Sequence, residues 1–173
     1  MRSKGTLKGL TRLGGAAVYE TVYSPDLLEC FDNNFPKRDF WARFTCPEFQ
    51  TINPATGEPY GATILIQYIP WKSLVESKSL KLYMFSFRYS TLKKDIGKLI
   101  VDDLVALLKP KYLEVEVRCA PREGLKARTF ANYAKPRSRY VTMAKARLAA
   151  FRASLRAAPK MEELPEERIT LNV

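Results

Sequence analysis

The chain has 173 residues, of which 46% are hydrophobic and 27% are charged, and its formal net charge is +11. This length and composition predict one globular domain with a real core and exclude a disordered chain. No apolar run is long enough to cross a bilayer, and no apolar segment follows the basic N-terminus, so we expect neither a membrane protein nor a signal peptide.

The first half of the chain reads as an irregular segment followed by two strands. Residues 1–35 are broken up by glycines and show no hydrophobic period, which predicts an irregular N-terminal extension. Residues 39–46 alternate between apolar and polar side chains and predict a half-buried strand. Residues 47–59 hold three prolines and a Thr-Gly pair, which favours a loop. Residues 61–70 are rich in β-branched and aromatic side chains and predict a second strand.

The second half alternates between helical and extended patterns. Two helices, two strands and a basic helix are predicted at residues 80–88, 95–108, 112–119, 128–134 and 141–158. In the third predicted strand, Leu113, Val115 and Val117 point inward, and the acidic residues between them point outward. We treat residues 141–173 as a basic helical C-terminal extension.

The element order is strand, strand, helix, helix, strand, strand. This ββααββ order with an antiparallel four-stranded sheet is that of the α+β tunnelling fold (T-fold), which we assign to residues 36–140. Such a unit covers one sheet face with its helices and leaves strand edges unpaired, so we expect a homo-oligomer or a larger complex.

Positive charge is concentrated in one segment. Residues 122–160 contain eleven basic residues and a single acid, Glu123. A localised basic patch is typical of a protein that binds a polyanion, and RNA or DNA is the expected partner. The predicted phosphate contacts are Arg137, Arg139, Lys145, Arg147, Arg152 and Arg156. The alternative is a solvated surface, or pairing of these arginines with tail acids such as Glu162 and Glu166.

Cysteine and histidine usage argues against a metal site. The three cysteines show no CxxC spacing, and the chain has no histidine. We therefore expect no metal, no disulfide framework and a reducing cytoplasmic location. The missing histidine also removes the most common general base.

Residues 76–83, Glu-Ser-Lys-Ser-Leu-Lys-Leu-Tyr, lie at a predicted strand-to-helix junction, where backbone N–H groups favour an anion. Together with Cys-Pro-Glu-Phe at 46–49, Thr-Gly at 56–57 and Tyr-Ile-Pro at 68–70, this stretch resembles the 7-cyano-7-deazaguanine reductases of queuosine synthesis (the QueF family). The resemblance covers about residues 10–140. It implies that NADPH binds at Glu76, Ser77, Lys78, Ser79 and Lys81. The alternative role of these side chains is to cap and support the following helix.

The residues that carry the chemistry of this family differ here. In the family, a cysteine adds to the nitrile carbon to form a thioimide, and an aspartate delivers a proton. The resemblance puts Asn53 at the cysteine position and Tyr60 at the aspartate position, and neither side chain replaces those groups. Asp95, with Lys94, takes the place of a substrate-contacting His-Glu pair and is the predicted substrate-binding residue. Cys46 is the remaining thiol candidate, but its apolar neighbours predict a packed, inert side chain.

Three functions follow from these observations. The first is a relative that has lost nitrile reduction, binds no cofactor and serves as a nucleic-acid-binding or assembly subunit. The second is an enzyme of 7-deazaguanine metabolism that retains NADPH and either reduces the nitrile or carries out another reaction there, such as hydration. The third is a partner subunit that completes an interface site of an active homologue. The sequence alone favours the first.

Overall fold

A computed structural model describes residues 19–53, 55–90, 95–121 and 126–156 of the protein. Its strands are β1 (Cys30–Asp32), β2 (Ala42–Ile52), β3 (Pro59–Ile69), β4 (Ser73–Val75), β5 (Tyr112–Cys119) and β6 (Arg128–Ala134). Its α-helices are α1 (Ser77–Ser86), α2 (Ile96–Leu108) and α3 (Tyr140–Arg156). The predicted order of the four long strands and two central helices is confirmed.

The main sheet is antiparallel throughout and has the strand order β2-β3-β5-β6. The central strands β3 and β5 pair in register from Ala62 opposite Cys119 to Ile69 opposite Tyr112. One end of the sheet is therefore formed by the hairpin between β2 and β3 and by the last residues of β5. At the other end, β2 and β5 begin and β3 and β6 finish.

Strand β2 is longer than the sequence predicted. The expected loop over residues 47–59 is wrong in its first part, because pairing resumes after an irregularity between Cys46 and Phe49 and continues to Ile52. The irregularity inserts an extra residue, so that the inward-facing positions pass from the half-buried Phe44 and Cys46 to the buried Phe49 and Thr51. The sequence predicted that the strand ends before Pro47, because proline is uncommon inside a paired strand.

The hydrophobic core lies between one face of the sheet and the helices α1 and α2. The sheet supplies Ile64, Ile66, Leu113, Val115 and Val117, all of which are nearly inaccessible to water. The helices supply a matching set at helical spacing: Leu80, Leu82, Tyr83, Ile100, Leu104 and Leu108. Removing this much apolar surface from water is the main term that stabilises the fold.

Helix α3 packs on the opposite face of the sheet, against β6 and β5. Asn132 donates to the Ala144 carbonyl oxygen at 2.9 Å, and the rings of Phe130 and Phe151 stack with their centroids 5.0 Å apart. The prediction that the acids of β5 face solvent is wrong for Glu114, which is only 3% exposed. Alternation placed Glu114 on the correct face, but the sequence did not show that α3 covers that face.

The N-terminal segment is more ordered than predicted. Residues 25–27 form a short 3-10 helix, and β1 pairs antiparallel with β4 from Cys30 opposite Val75 to Asp32 opposite Ser73. Three-residue strands are too short to show a period, so the expected irregularity of residues 1–35 is corrected for this part. The portion before Tyr19 lies outside the described residues, as does the tail beyond Arg156. Among the helices that the structure describes, none has the length and apolar character to cross a membrane.

Candidate functional site

The junction between β4 and α1 contains the residues predicted to bind a cofactor. Glu76 is the N-cap of α1, and its carboxylate accepts hydrogen bonds from the backbone N–H of Lys78 at 2.9 Å and of Ser79 at 2.6 Å. The hydroxyl of Ser79 donates to the Glu76 carbonyl and accepts from the N–H of Glu29. Both side chains are buried. Glu76 and Ser79, two of the five predicted cofactor residues, therefore cap and support the start of the helix, which is the alternative role considered for them from the sequence.

A cavity of about 350 Å³ opens between α1 and the middle of β2. Ser77 and Lys81, two more of the predicted cofactor residues, line it with Arg88 from the end of the helix. Hydroxyl, ammonium and guanidinium groups are the donors that phosphate oxygens accept from, so these three side chains suit a phosphate group, whereas the carboxylate of Glu48 on the same lining opposes one. The cavity is also within the size range of small-molecule sites.

Cys46 lines the same cavity from β2. Burial raises the pKa of its thiol, which keeps the sulfur protonated near neutral pH. Because the thiolate is the reactive form, the surroundings of Cys46 oppose a nucleophilic role, in line with the sequence-based expectation.

Asn53 and Tyr60 both lie at the hairpin between β2 and β3. The side-chain oxygen of Asn53 accepts a hydrogen bond from Ala55 N–H at 2.9 Å, and its backbone pairs with Glu58 and Gly57. Asn53 thus closes the turn, a common use of asparagine. The Tyr60 hydroxyl donates to the sulfur of Cys119. Burial, aided by this hydrogen bond, raises the pKa of Tyr60 above its ordinary range, so the phenol stays neutral.

Asp95 is the N-cap of α2, and its carboxylate accepts from Lys98 N–H at 2.8 Å. The first turn of α2 packs closely on the sheet, since a Cβ added at Gly97 would lie 3.1 Å from Cγ2 of Val117. Asp95 is exposed and lies at the hairpin end of the sheet. Its proposed partner in the sequence pattern, Lys94, lies outside the described residues.

Among the described residues, the lining of the cavity beside α1 does not include Asn53, Tyr60 or Asp95. Ser77 and Lys81 face the middle of β2, whereas Asn53, Tyr60 and Asp95 lie toward the hairpin end. A site that uses all of them needs a second surface, as interface sites between subunits would provide. The cofactor and substrate roles of these residues stay predictions.

The six residues predicted to contact nucleic acid fall into two groups. Arg147 forms a two-pronged ion pair with Glu114, with N–O distances of 2.9 and 2.5 Å, and Arg139 pairs with Asp39. The other four are exposed and have no acidic partner among the described residues: Arg137, Lys145, Arg152 and Arg156. Two guanidinium groups that sequence reasoning assigned to phosphate are thus already held by carboxylates of the protein.

Glu114 and Asp103 are the polar residues that sequence reasoning missed. Burial acts to raise the pKa of Glu114, but hydrogen bonds from Arg147, Tyr112 and Gln67 outweigh it and hold that pKa below its usual value. Asp103 accepts from the hydroxyls of Tyr23 and Tyr83 at 2.7 and 2.5 Å, which ties three segments together. No group of acids and cysteines able to hold a metal ion occurs in the described part of the chain.

Comparisons with known proteins agree with this fold. A family model described as QueF-like protein matches residues 59–138. The chain is 46% identical over 149 residues to the NADPH-dependent 7-cyano-7-deazaguanine reductase of Neisseria meningitidis serogroup B, covering 85% of this chain and 95% of that one. It is equally identical over 144 residues to the protein of that name from Bacillus cytotoxicus, covering 82% of this chain and 87% of the relative.

A solved structure shows the same fold at lower sequence similarity. The crystal structure of the archaeosine synthase QueF-Like in the apo form superposes with a TM-score of 0.52 at 17% identity. It covers 57% of this chain and 98% of the other. At this identity the likeness concerns the fold, and it agrees with the T-fold predicted from the order of the elements.

Proposed function

We propose a function from one premise: the chain belongs to the family of QueF-like proteins and NADPH-dependent 7-cyano-7-deazaguanine reductases. The proposed function is that of an enzyme of 7-deazaguanine metabolism that binds NADPH and acts on the nitrile without a thioimide intermediate. When bound, NADPH supplies a hydride, and Ser77 and Lys81 would hold its phosphate groups from the cavity beside α1.

The observation that carries this proposal is the hairpin end of the sheet. Asn53 stands where the family places its nucleophile, and its side chain is engaged in the turn. An amide does not add to a nitrile carbon as a thiolate does. Tyr60 stands at the proton-donor position with a raised pKa and a bond to Cys119. The near-full-length similarity to reductases supports retention of ligand binding, while these two residues support a change in the chemical step.

The decisive test follows adducts and products together. Wild-type protein is incubated with 7-cyano-7-deazaguanine and NADPH, and intact mass, NADPH absorbance and small-molecule products are measured. We expect ligand binding and a product, with no covalent adduct. An amine product would show reduction and a carboxamide would show hydration, while a covalent adduct, or no product and no binding, would contradict the proposal.

Restoring the family residues provides the matched control. Asn53→Cys alone should form little adduct, because Tyr60 cannot deliver the proton. The double variant Asn53→Cys/Tyr60→Asp should gain a thioimide of the expected mass and consume NADPH. Carrying both changes in a Cys46→Ala background excludes a contribution from the native thiol that lines the cavity beside α1. Equal behaviour of the single and double variants would contradict the role given to Tyr60.

A second candidate function is a nucleic-acid-binding subunit, which the clustered positive charge supports. The exposed residues Lys145, Arg152 and Arg156 lie on α3, away from the Glu114 pair. Binding by such a surface would depend mainly on phosphate neutralisation and would fall steeply with salt. Binding to RNA and duplex DNA at two salt concentrations tests this candidate separately from nitrile chemistry.

A further inference from the structure

The end of the sheet opposite the β2–β3 hairpin gathers segments that are far apart in sequence. There, Lys111 N–H donates to the Ile69 carbonyl and Lys135 N–H to the Lys111 carbonyl, both at 3.0 Å. Asn33 N–H donates to the Lys72 carbonyl at 2.8 Å. The approach to β2, the turn after β3, the start of β5 and the end of β6 therefore form one continuous surface.

This surface is strongly basic. Its exposed or partly exposed cationic side chains are Lys37, Arg38, Lys72, Lys109, Lys135, Arg137 and Arg139. Among the described residues there, the acids are Asp32 and Asp39, and Asp39 alone serves both Lys111 and Arg139. Lys72 and Lys135 lie over the ring of Trp71 at 5.0 and 3.6 Å, contacts that leave their positive charge uncompensated by an anion.

Large aromatic rings stand exposed among these cations. Phe35, Phe40 and Trp41 are 57%, 38% and 48% accessible to water, and the guanidinium of Arg38 lies over one face of Phe35, 5.2 Å from its ring centroid. Trp41 rests edge-on against Tyr112, with ring centroids 5.7 Å apart, so its position is fixed although its surface is open. Three exposed rings on one surface are unusual for side chains that gain free energy by burial.

We propose that this sheet-end surface, defined by Phe35, Lys37, Arg38, Phe40, Trp41, Lys72, Lys135 and Arg137, binds single-stranded nucleic acid. The proposal rests on the second candidate function and places its site at the sheet end instead of on α3. Aromatic platforms beside cationic side chains are how proteins hold unpaired strands: bases stack on the rings and phosphates meet the cations. A duplex keeps its bases stacked on each other and would use only the charges.

The outer face of α3 has cationic side chains but no exposed aromatic ring beside them. Phe151, the aromatic residue nearest its basic side chains, is stacked on Phe130 and also lies beneath Arg128. The exposed positions around Arg152 and Arg156 are alanine, serine and leucine. That face offers charge without a stacking platform, and it is therefore the matched control for the sheet end.

The first experiment compares two triple variants that each remove three positive charges. The sheet-end variant is Lys37→Gln/Arg38→Gln/Lys72→Gln, and the control is Lys145→Gln/Arg152→Gln/Arg156→Gln. Fluorescence anisotropy is measured with labelled oligomers of about 12 nucleotides, as single-stranded RNA, single-stranded DNA and duplex. We expect the sheet-end variant to flatten the slope of log affinity against log salt by about two units for single strands. The control should leave the slope unchanged.

The second experiment tests stacking. Trp41→Ala should weaken single-strand binding by about 5- to 150-fold and leave duplex binding nearly unchanged. Tyr89→Ala is the control, since Tyr89 is 63% exposed but lies toward the hairpin end. Phe35→Ala is a second stacking variant in case the loss of the Trp41–Tyr112 contact disturbs folding, which circular dichroism would report.

Three results would overturn the proposal. If the α3 control loses affinity and the sheet-end variant does not, the site lies on the helix and only the second candidate function stands. If no oligomer binds at low salt, that candidate function fails as well. If the sheet-end variant instead abolishes self-association, the surface is an interface between copies of the chain. Binding of 7-cyano-7-deazaguanine and NADPH, measured on the same variants, reports separately on the enzymatic proposal.

Discussion

Arg147 was predicted to contact phosphate, but in the structure it forms an ion pair with Glu114. Its side chain is 43% exposed, but that of its partner Glu114 is 3% exposed, and the Glu114 carboxylate also accepts from Tyr112 and Gln67. A carboxylate in such a position needs its hydrogen-bond donors, because an ionised group without them is very costly to bury. The pair therefore fixes where α3 sits on the sheet.

Replacement of Arg147 should for this reason destabilise the protein. We expect Arg147→Ala to lower the free energy of unfolding by about 3 kcal/mol, the lower end of the range for a broken buried pair, since water can reach this one. Arg152→Ala, further along α3 at an exposed position, should change it by less than about 0.5 kcal/mol. Urea denaturation measures both. Equal effects of the two changes would show that the Glu114 pair contributes nothing to stability.

Helix α1 combines two tasks that its sequence does not separate. Glu76 and Ser79 point into the protein and stabilise the first turn, whereas Ser77 and Lys81 face the cavity. The same stretch of residues is thus divided by helical periodicity into a supporting face and a face available to a ligand. A phosphate group would contact the face that carries Ser77 and Lys81. Its binding would depend on Glu76 and Ser79 only because these two residues stabilise the helix.

Substitutions on the two faces should separate these tasks. Glu76→Ala removes a cap that satisfies two backbone N–H groups and should lower the free energy of unfolding by about 1 kcal/mol. Lys81→Ala should leave stability nearly unchanged and raise the dissociation constant for NADPH. Thermal melting and calorimetric titration measure the two quantities. Unchanged NADPH affinity in Lys81→Ala would contradict the role proposed for the cavity.

The elements that the sequence predicted well are those with a long regular pattern. Strand β5 was predicted with its observed bounds, as was β6, and α2 within one residue. The errors arose where a pattern is short or interrupted, as in β1 and beyond Pro47. Tertiary contacts could not be predicted for a different reason. Nothing in the local sequence around Glu114 indicates that α3 packs over it.

At the scale of the whole molecule, the four-stranded sheet has two open edges. In the described part of the chain, β2 and β6 are the outer strands, and each has one side without a partner strand. Unpaired edges are sites where sheets join, and the separation of Ser77 and Lys81 from Asn53 and Tyr60 is the pattern expected if sites form between subunits. Assembly would thus complete both the sheet and the site.

We therefore expect the protein to form a homo-oligomer or to enter a larger complex. Light scattering coupled to size-exclusion chromatography should give a mass that is a multiple of 19.8 kDa at micromolar concentration. The enzymatic proposal predicts that ligand binding tracks this assembled form. A stable monomer that still binds NADPH and 7-cyano-7-deazaguanine would contradict both expectations.

The contacts of the N-terminal segment have a consequence for the order of events during synthesis. Tyr23 forms hydrogen bonds with Ser90 and Asp103, and Glu29 forms one with Ser79. These contacts of the early segment can form only after residues 50 to 80 positions later have been synthesised. Contacts that span so much sequence form slowly, because a long loop must close before they are gained. Residues 23–33 leave the ribosome before these partners do and are expected to be among the last to reach their final positions. Until then, Ser79 and Ser86, near the two ends of α1, lack the backbone N–H donors of Glu29 and Ser24.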